Sequence, residues 1–232
     1  MFRKGQIIKN FFIYKNQYSK FHTKVKAKSR IGPHNSDIIS VLIGSLLGDC
    51  YVSNRSTEGT RFCYRQSEIN KDYLFWLYNF WFSRGYCSNL QPRKYTRTIK
   101  NRNHKYYGYE FNTFTFRSFN WIHKLFYKKG KKYINKEIEK YLTPLSLAIW
   151  IMDDGGWAKP GVRLSTNSFR LEEVSFLVKV LENKFNLDCR IQSLKNKDQH
   201  CIYIQGSSIV TLTNIILPYL HPSMYHKLNI KK

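Results

Sequence analysis

Two nearly uncharged apolar runs dominate the hydrophobic pattern of this chain. Residues 42–50 read Leu-Ile-Gly-Ser-Leu-Leu-Gly-Asp-Cys, and residues 147–156 read Leu-Ala-Ile-Trp-Ile-Met-Asp-Asp-Gly-Gly. Each is long enough for about two and a half helical turns. Each carries few polar residues on any side, so each predicts a helix buried nearly all round. Each also stops at an aspartate, Asp49 and Asp154.

The stretches after the two runs predict the same elements in the same order. Residues 61–66 set Arg61, Cys63 and Arg65 against Phe62 and Tyr64, the period of a half-buried strand with rings inward and arginines outward. Residues 71–82 form an aromatic-rich helix. Residues 91–109 predict a strand and a long hairpin loop, 110–117 alternate again, 119–127 are helical, and the charge cluster Lys128, Lys129, Lys131 and Lys132 follows. In the second half, Thr143-Pro144 offers a cap and a first helical position, and the helix is expected to end at Asp154 with Gly155-Gly156. Strand alternation follows at 163–167, then a helix over 172–185 with Leu177, Val180, Leu181 and Phe185 on one side. A strand pair at 189–195 and 201–205 and a helix over 207–217 complete it. Helix, strand, strand, helix, strand, strand, helix therefore occurs twice, which predicts an internal duplication. The segments are a leader over 1–36, a first half over 37–140 and a second half over 141–232.

An aspartate is an unusual way to end an apolar helix. The last turn presents unpaired carbonyls and the negative end of the macrodipole, which favour cations. Two such endings indicate a common requirement, and a divalent cation meets it, because carboxylate and carbonyl oxygens suit hard ions. Gly44 and Gly48 lie four apart, on one helix face, where a second helix could approach closely. If the two helices pack side by side, Asp49 and Asp154 come to one end. The plain alternative is two core helices with ordinary solvated ends.

Charge narrows the partner. The chain has 39 Lys and Arg against 15 acids, a net charge of +24. Self-repulsion of that size is best tolerated beside a polyanion. The 17 Tyr and 16 Phe suit base stacking and an ordinary core equally. No stretch approaches the roughly 18 apolar residues of a membrane span, so nucleic acid is preferred and no membrane partner is expected. Five widely spaced cysteines without a CxxC pair argue against a disulfide framework and a structural zinc site. No HExxH spacing, Gly-rich phosphate loop or Ser/His/Asp arrangement is present. Residues 1–36 contain nine Lys or Arg and no acid, the composition of a DNA-binding arm, a disordered extension or a mitochondrial transit peptide.

The two apolar runs resemble the LAGLIDADG motif of homing endonucleases and intron maturases. Two copies imply the monomeric, pseudo-symmetric form, covering about residues 37–230. The fold implied is α+β, a pseudo-two-fold duplicated αββαββα arrangement whose two antiparallel sheets form a DNA-binding saddle. Motif register puts the metal-binding acids at Asp49 and Asp154, with two or more Mg²⁺ ions, and the carbonyls one residue earlier, Gly48 and Asp153, can join the shell. Asp153 is itself a carboxylate where the family often has a small residue, so an exchange of roles with Asp154 stays open. Ile149 and Met152 are bulkier than usual, which leaves the tightness of the helix contact open. The resemblance also implies a basic residue near each metal: Lys227, within a segment like the family's C-terminal signature, and Lys132, with Lys131 as a competitor.

Outward strand positions are the expected readers of bases, since Arg and Lys bond guanine edges and Gln or Asn adenine. They are Arg61, Arg65, Arg93, Arg97, Arg163, Asn167, Arg190, Gln192 and Lys197. The resemblance implies hydrolysis of both strands of a long specific DNA site, with short 3′ overhangs, by a protein of a mobile intron in an organelle, the mitochondrion above all. The alternatives are an intron RNA maturase and a DNA-binding protein that no longer cuts.

Overall fold

The computed structural model describes residues 25–56, 59–99, 104–194 and 198–231. The first half runs α1 (Ser36–Leu47), β1 (Tyr51–Ser56), β2 (Gly59–Ser67), α2 (Lys71–Ser83), β3 (Arg93–Ile99), β4 (His104–Asn112) and α3 (Asn120–Phe126). A short hairpin follows, β5 (Tyr127–Lys128) and β6 (Lys131–Lys132). The second half runs α4 (Pro144–Asp154), β7 (Gly155–Ala158), β8 (Gly161–Ser165), α5 (Leu171–Phe185), β9 (Cys189–Ser193), β10 (His200–Ile204) and α6 (Ile209–Ile216). Both four-stranded sheets are antiparallel and wound alike, in the orders β1-β2-β4-β3 and β7-β8-β10-β9. The fold is the duplicated α+β arrangement that the element order predicted.

Three local expectations change. The basic stretch is a well-paired hairpin rather than a strand and a long loop: β4 begins at His104 and pairs with β3 from Arg93↔Glu110 to Ile99↔His104. Gly155 and Gly156, expected as a helix end, open β7. A Cβ on Gly155 would lie 2.5 Å from the carbonyl oxygen of Ile151, so only glycine lets the chain turn so sharply from α4 into a strand. The lysine cluster near 130 forms β5–β6, joined by Lys129 and Gly130, both at positive φ, as a type I′ turn requires.

The molecule divides into two compact units that cross the repeat. One comprises the described residues up to Pro33 with Asp49–Trp121, the other His34–Gly48 with Ile122–Lys232. In the first unit α2 lies against β2 and β4, burying Phe62, Tyr64, Phe111, Leu77 and Trp81. The Tyr64 and Phe111 rings stack at 4.8 Å. Residues 25–33 belong to this unit: Arg30 sits over the Phe114 ring and donates to the Thr115 carbonyl, while its own carbonyl accepts from the Arg117 amide.

In the second unit α1 packs along α4, and both are buried nearly all round, including Leu42, Leu46, Leu147, Trp150 and Ile151. Each such side chain contributes about 1.5–3 kcal/mol of burial free energy. α5 covers β9 and β10 through Val174, Leu177 and Leu181. Among the described residues no helix is long and apolar enough to cross a membrane.

Candidate catalytic and nucleic-acid-binding site

The helix pair of the second unit sets the geometry. Thr143 caps α4, its hydroxyl accepting from the Ser146 amide at 3.2 Å and donating to Ser40 Oγ of α1 at 2.9 Å. A Cβ on Gly44 would lie 2.3 Å from the Ser146 carbonyl oxygen and 2.8 Å from Ile149 Cβ. The bulk of Ile149 is therefore met by a glycine opposite, and the contact is tight. Met152 is fully buried and its sulfur accepts from the His221 amide.

At the far end the helices remain close, since a Cβ on Gly48 would lie 2.4 Å from Asp153 Cβ and 2.7 Å from its Oδ2. The Asp153 side chain is buried against that glycine, while Asp154 is half-buried. Asp49, bonded to Gly48, falls two residues past the end of α1, is exposed, and belongs to the first unit. There its Oδ2 accepts from Gln66 Nε2 at 2.7 Å, and Asn70 in turn donates to Gln66 Oε1 at 3.0 Å.

Two lysines of the second unit address the two helix ends alike. Lys132 Nζ donates to the Gly48 carbonyl at 3.2 Å, and Lys227 Nζ donates to the Asp153 carbonyl at 3.4 Å. The β5–β6 hairpin holds Lys132 half-buried, whereas Lys131 beside it is exposed. Lys227 lies in the 3-10 helix Pro222–Leu228, fixed on either side by buried Met224 and Leu228. Each ammonium thus meets the carbonyl one residue before a motif aspartate, the place where helix ends favour positive charge. The donors at both ends are carboxylate and carbonyl oxygens, a set that suits a hard divalent ion. No cluster of three or more His, Cys, Asp or Glu side chains that could hold a metal occurs among the described residues. Any such ion would therefore draw on backbone carbonyls and solvent as well.

The sheets carry the other expected residues. In the first unit Arg65, Arg93 and Arg97 are exposed and Arg61 is half-buried, its Nε without a partner among the described residues. Arg65 of β2, Glu110 of β4 and Arg93 of β3 stand side by side across three strands. Glu110 accepts from Arg65 Nε at 2.8 Å on Oε2 and from Arg93 Nε at 2.6 Å on Oε1. Burial pushes its carboxyl pKa up, but hydrogen bonds and charge from the two arginines outweigh burial and hold it below the ordinary value.

In the second unit Arg163 and Arg190 are exposed on either side of Tyr203, whose hydroxyl donates to the Ala158 carbonyl at 3.2 Å. Gln192 is half-buried in β9 opposite Cys201, whose thiol donates to its carbonyl. Asn167 lies exposed in a turn beyond β8 rather than in the strand. Lys197 lies outside the described residues. Gln66 and Glu110 went unnoticed in the sequence, although each carries a signal. Gln66 follows Phe62 and Tyr64 in the inward register of β2, and Glu110 is the only acid between Asp72 and Glu137.

Comparison with known proteins agrees with this architecture. Residues 39–212 match the family model described as the LAGLIDADG DNA endonuclease family. The chain is 49% identical over 158 residues to the intron-encoded endonuclease ai4 of Dictyostelium discoideum, covering 67% of this chain and 99% of that protein. It is 39% identical over 228 residues to the cytochrome b mRNA maturase bI2 of Saccharomyces cerevisiae, covering 94% of this chain and 54% of the maturase, so it spans about half of that relative. The structure of the homing endonuclease I-WcaI bound to its DNA recognition sequence matches with a TM-score of 0.77 at 26% identity, over 100% of this chain and 96% of that one. The duplicated motif, the twice-used sheet order and these likenesses together place the chain in the LAGLIDADG homing endonuclease family.

Proposed function

We propose that this protein is a monomeric intron-homing endonuclease that binds a long double-stranded DNA site and hydrolyses both strands with Mg²⁺, leaving short 3′ overhangs. The observation that carries the reading is the matched pair of lysines, each half-buried and each donating to the carbonyl that precedes a motif aspartate. A protein that had kept only the fold would have no need to hold two ammonium groups alike at both helix ends. The exposed carboxylate of Asp49 and the half-buried one of Asp154 are the two metal ligands, and the Gly48 and Asp153 carbonyls, each already accepting from a lysine, keep a second lone pair beside them. Burial of the Asp153 side chain against Gly48 supports Asp154 over Asp153 for this role. When bound, divalent ions supply charge stabilisation of the attacking and leaving oxygens.

The chain's own residues do the rest. Gln66 fixes the rotamer of Asp49 through its amide. Lys132 and Lys227 provide preorganised positive charge for the cleaved phosphates. The exposed arginines of the two sheets supply phosphate contacts, which position the duplex, and base contacts, which specify it. Likeness to a structure bound to its recognition DNA supports the substrate, and the cytochrome b maturase relative supports an organellar, mitochondrial setting.

The test is cleavage of a randomised duplex library by the purified full chain, in Mg²⁺ and in Ca²⁺, with Asp49→Asn and Asp154→Asn alongside. One long consensus, cut with Mg²⁺ only and carrying 3′ overhangs, is expected. Each variant should retain binding and lose about 10²–10³-fold in cleavage rate, the range for removing one preorganised charge-stabilising group. Undiminished cutting by Asp49→Asn would refute the mechanism. The maturase likeness over 94% of the chain favours one second reading, assistance of intron RNA splicing. Duplex that is bound but never cut with either ion would bring that reading forward.

A further inference from the structure

Glu110 is an odd residue to find on a surface that meets a polyanion. It is 8% exposed and both its oxygens are taken, one by Arg65 and one by Arg93. The two guanidinium groups stay accessible, with side-chain exposures of 47% and 78%. Arg65 is held from a second direction by the Tyr95 ring, whose centroid lies 4.8 Å away. Tyr95 leans diagonally across β4 to Arg65 because its own partner there, which pairs on the other side with Ser67, is Gly108, where a Cβ would lie 2.6 Å from the Tyr95 ring and hydroxyl. Arg65, which donates to Glu110 from both Nε and Nη2, is therefore braced by a carboxylate and an aromatic face.

A carboxylate here weakens general attraction to phosphate, since affinity for any duplex grows with the number of cations offered to it. Ion pairs whose arginines are this exposed also contribute little to stability. Both effects leave geometry as the gain. A guanidinium whose Nε and Nη2 already donate to a carboxylate is held in one orientation, and its terminal Nη edge is then the fork for bidentate bonding to guanine O6 and N7. The carboxylate also disfavours a phosphate between the two arginines and so directs them to base edges.

We propose that Glu110 is a positioning residue that orients Arg65 and Arg93 to read guanines in one half of the DNA site. The inference rests on the reading of the protein as a duplex-binding endonuclease. The second sheet provides an internal comparison, because its row Arg163–Tyr203–Arg190 has a tyrosine in the middle place.

The test uses the full chain and the consensus duplex recovered by selection from a random library, with every single-base variant of it. Binding by the parent protein is compared with that of Glu110→Gln and Arg65→Lys, the latter keeping charge but not the fork. Glu110→Gln should lose about ten- to hundredfold of its discrimination at a few adjacent base pairs of one half-site. Its binding to unrelated duplex should tighten, and its unfolding midpoint should move by no more than a few degrees. Arg65→Lys, at an exposed position, should loosen an overlapping set of base pairs. A Glu110→Gln profile unchanged at every base pair, or weakened uniformly across both half-sites, overturns the inference while leaving the endonuclease reading intact. A parent protein that selects no consensus overturns both.

Discussion

Burial acts on a thiol and on a carboxylate in opposite company here. The thiols of Cys87 and Cys189 are pushed up to about 12, by burial alone for Cys87 and by burial with the nearby charges of Glu182 and Asp188 for Cys189. All five cysteines are free and buried, so the folded protein should consume almost no aromatic disulfide reagent at pH 8 and five equivalents once denatured, read by absorbance. Glu110 is also desolvated, yet its two arginines hold its carboxyl below the ordinary value of 4.5. A depressed carboxylate contributes stability that is present above the unfolded pKa and lost as pH falls through the folded one. Glu110→Gln should therefore be less stable than the parent by at most about 1 kcal/mol at neutral pH, and the two denaturation curves should converge below pH 4.5. At this scale the sequence drew attention to Asp49 and Asp154, because an apolar helix ending in Asp contradicts the macrodipole, and likeness to a family drew it to Lys132 and Lys227, whose ammonium groups meet the Gly48 and Asp153 carbonyls. It did not disclose the brace around Arg65, because Glu110, Tyr95 and Gly108 meet only through strand register.

Helix contacts in this protein depend on what is missing from one side. At Gly44 the other helix offers a backbone oxygen 2.3 Å from where a Cβ would stand, and a backbone oxygen cannot rotate away. Gly44→Ala gains up to about 1 kcal/mol of helix propensity but meets an overpacking cost that reaches about 3 kcal/mol. A net loss of about 1–2 kcal/mol is expected, measurable as a fall of several degrees in the thermal midpoint. Gly156→Ala is the control, since nothing lies within 4 Å of a Cβ there. Helices were the most legible elements: the Thr143-Pro144 start, the aromatic helix after residue 70 and the face of Leu177, Val180, Leu181 and Phe185 all read as they fold. Strands were read less well. β7 hid behind a Gly-Gly that looked like an ending, and the first turns of β4 hid in a run of Lys and Tyr that lacked hydrophobic alternation. The β5–β6 hairpin looked like a mere charge cluster, although Lys129-Gly130 carries its turn chemistry.

For the whole molecule, the net charge of +24 and the duplication were readable at once, because both are sums over the chain and survive errors at any single element. The partition into compact units was not readable, since it follows from which helix packs on which rather than from order along the chain. His34–Gly48 belongs with Ile122–Lys232, and Asp49–Trp121 is enclosed between them in sequence. A ribosome therefore completes α1 long before it makes Pro144–Asp154, the helix that α1 must cover. Through that interval an apolar helix with glycines on its contact face has no partner, the circumstance in which growing chains aggregate or engage chaperones. The yield of folded protein should thus be set by the rate at which the middle of the message is translated.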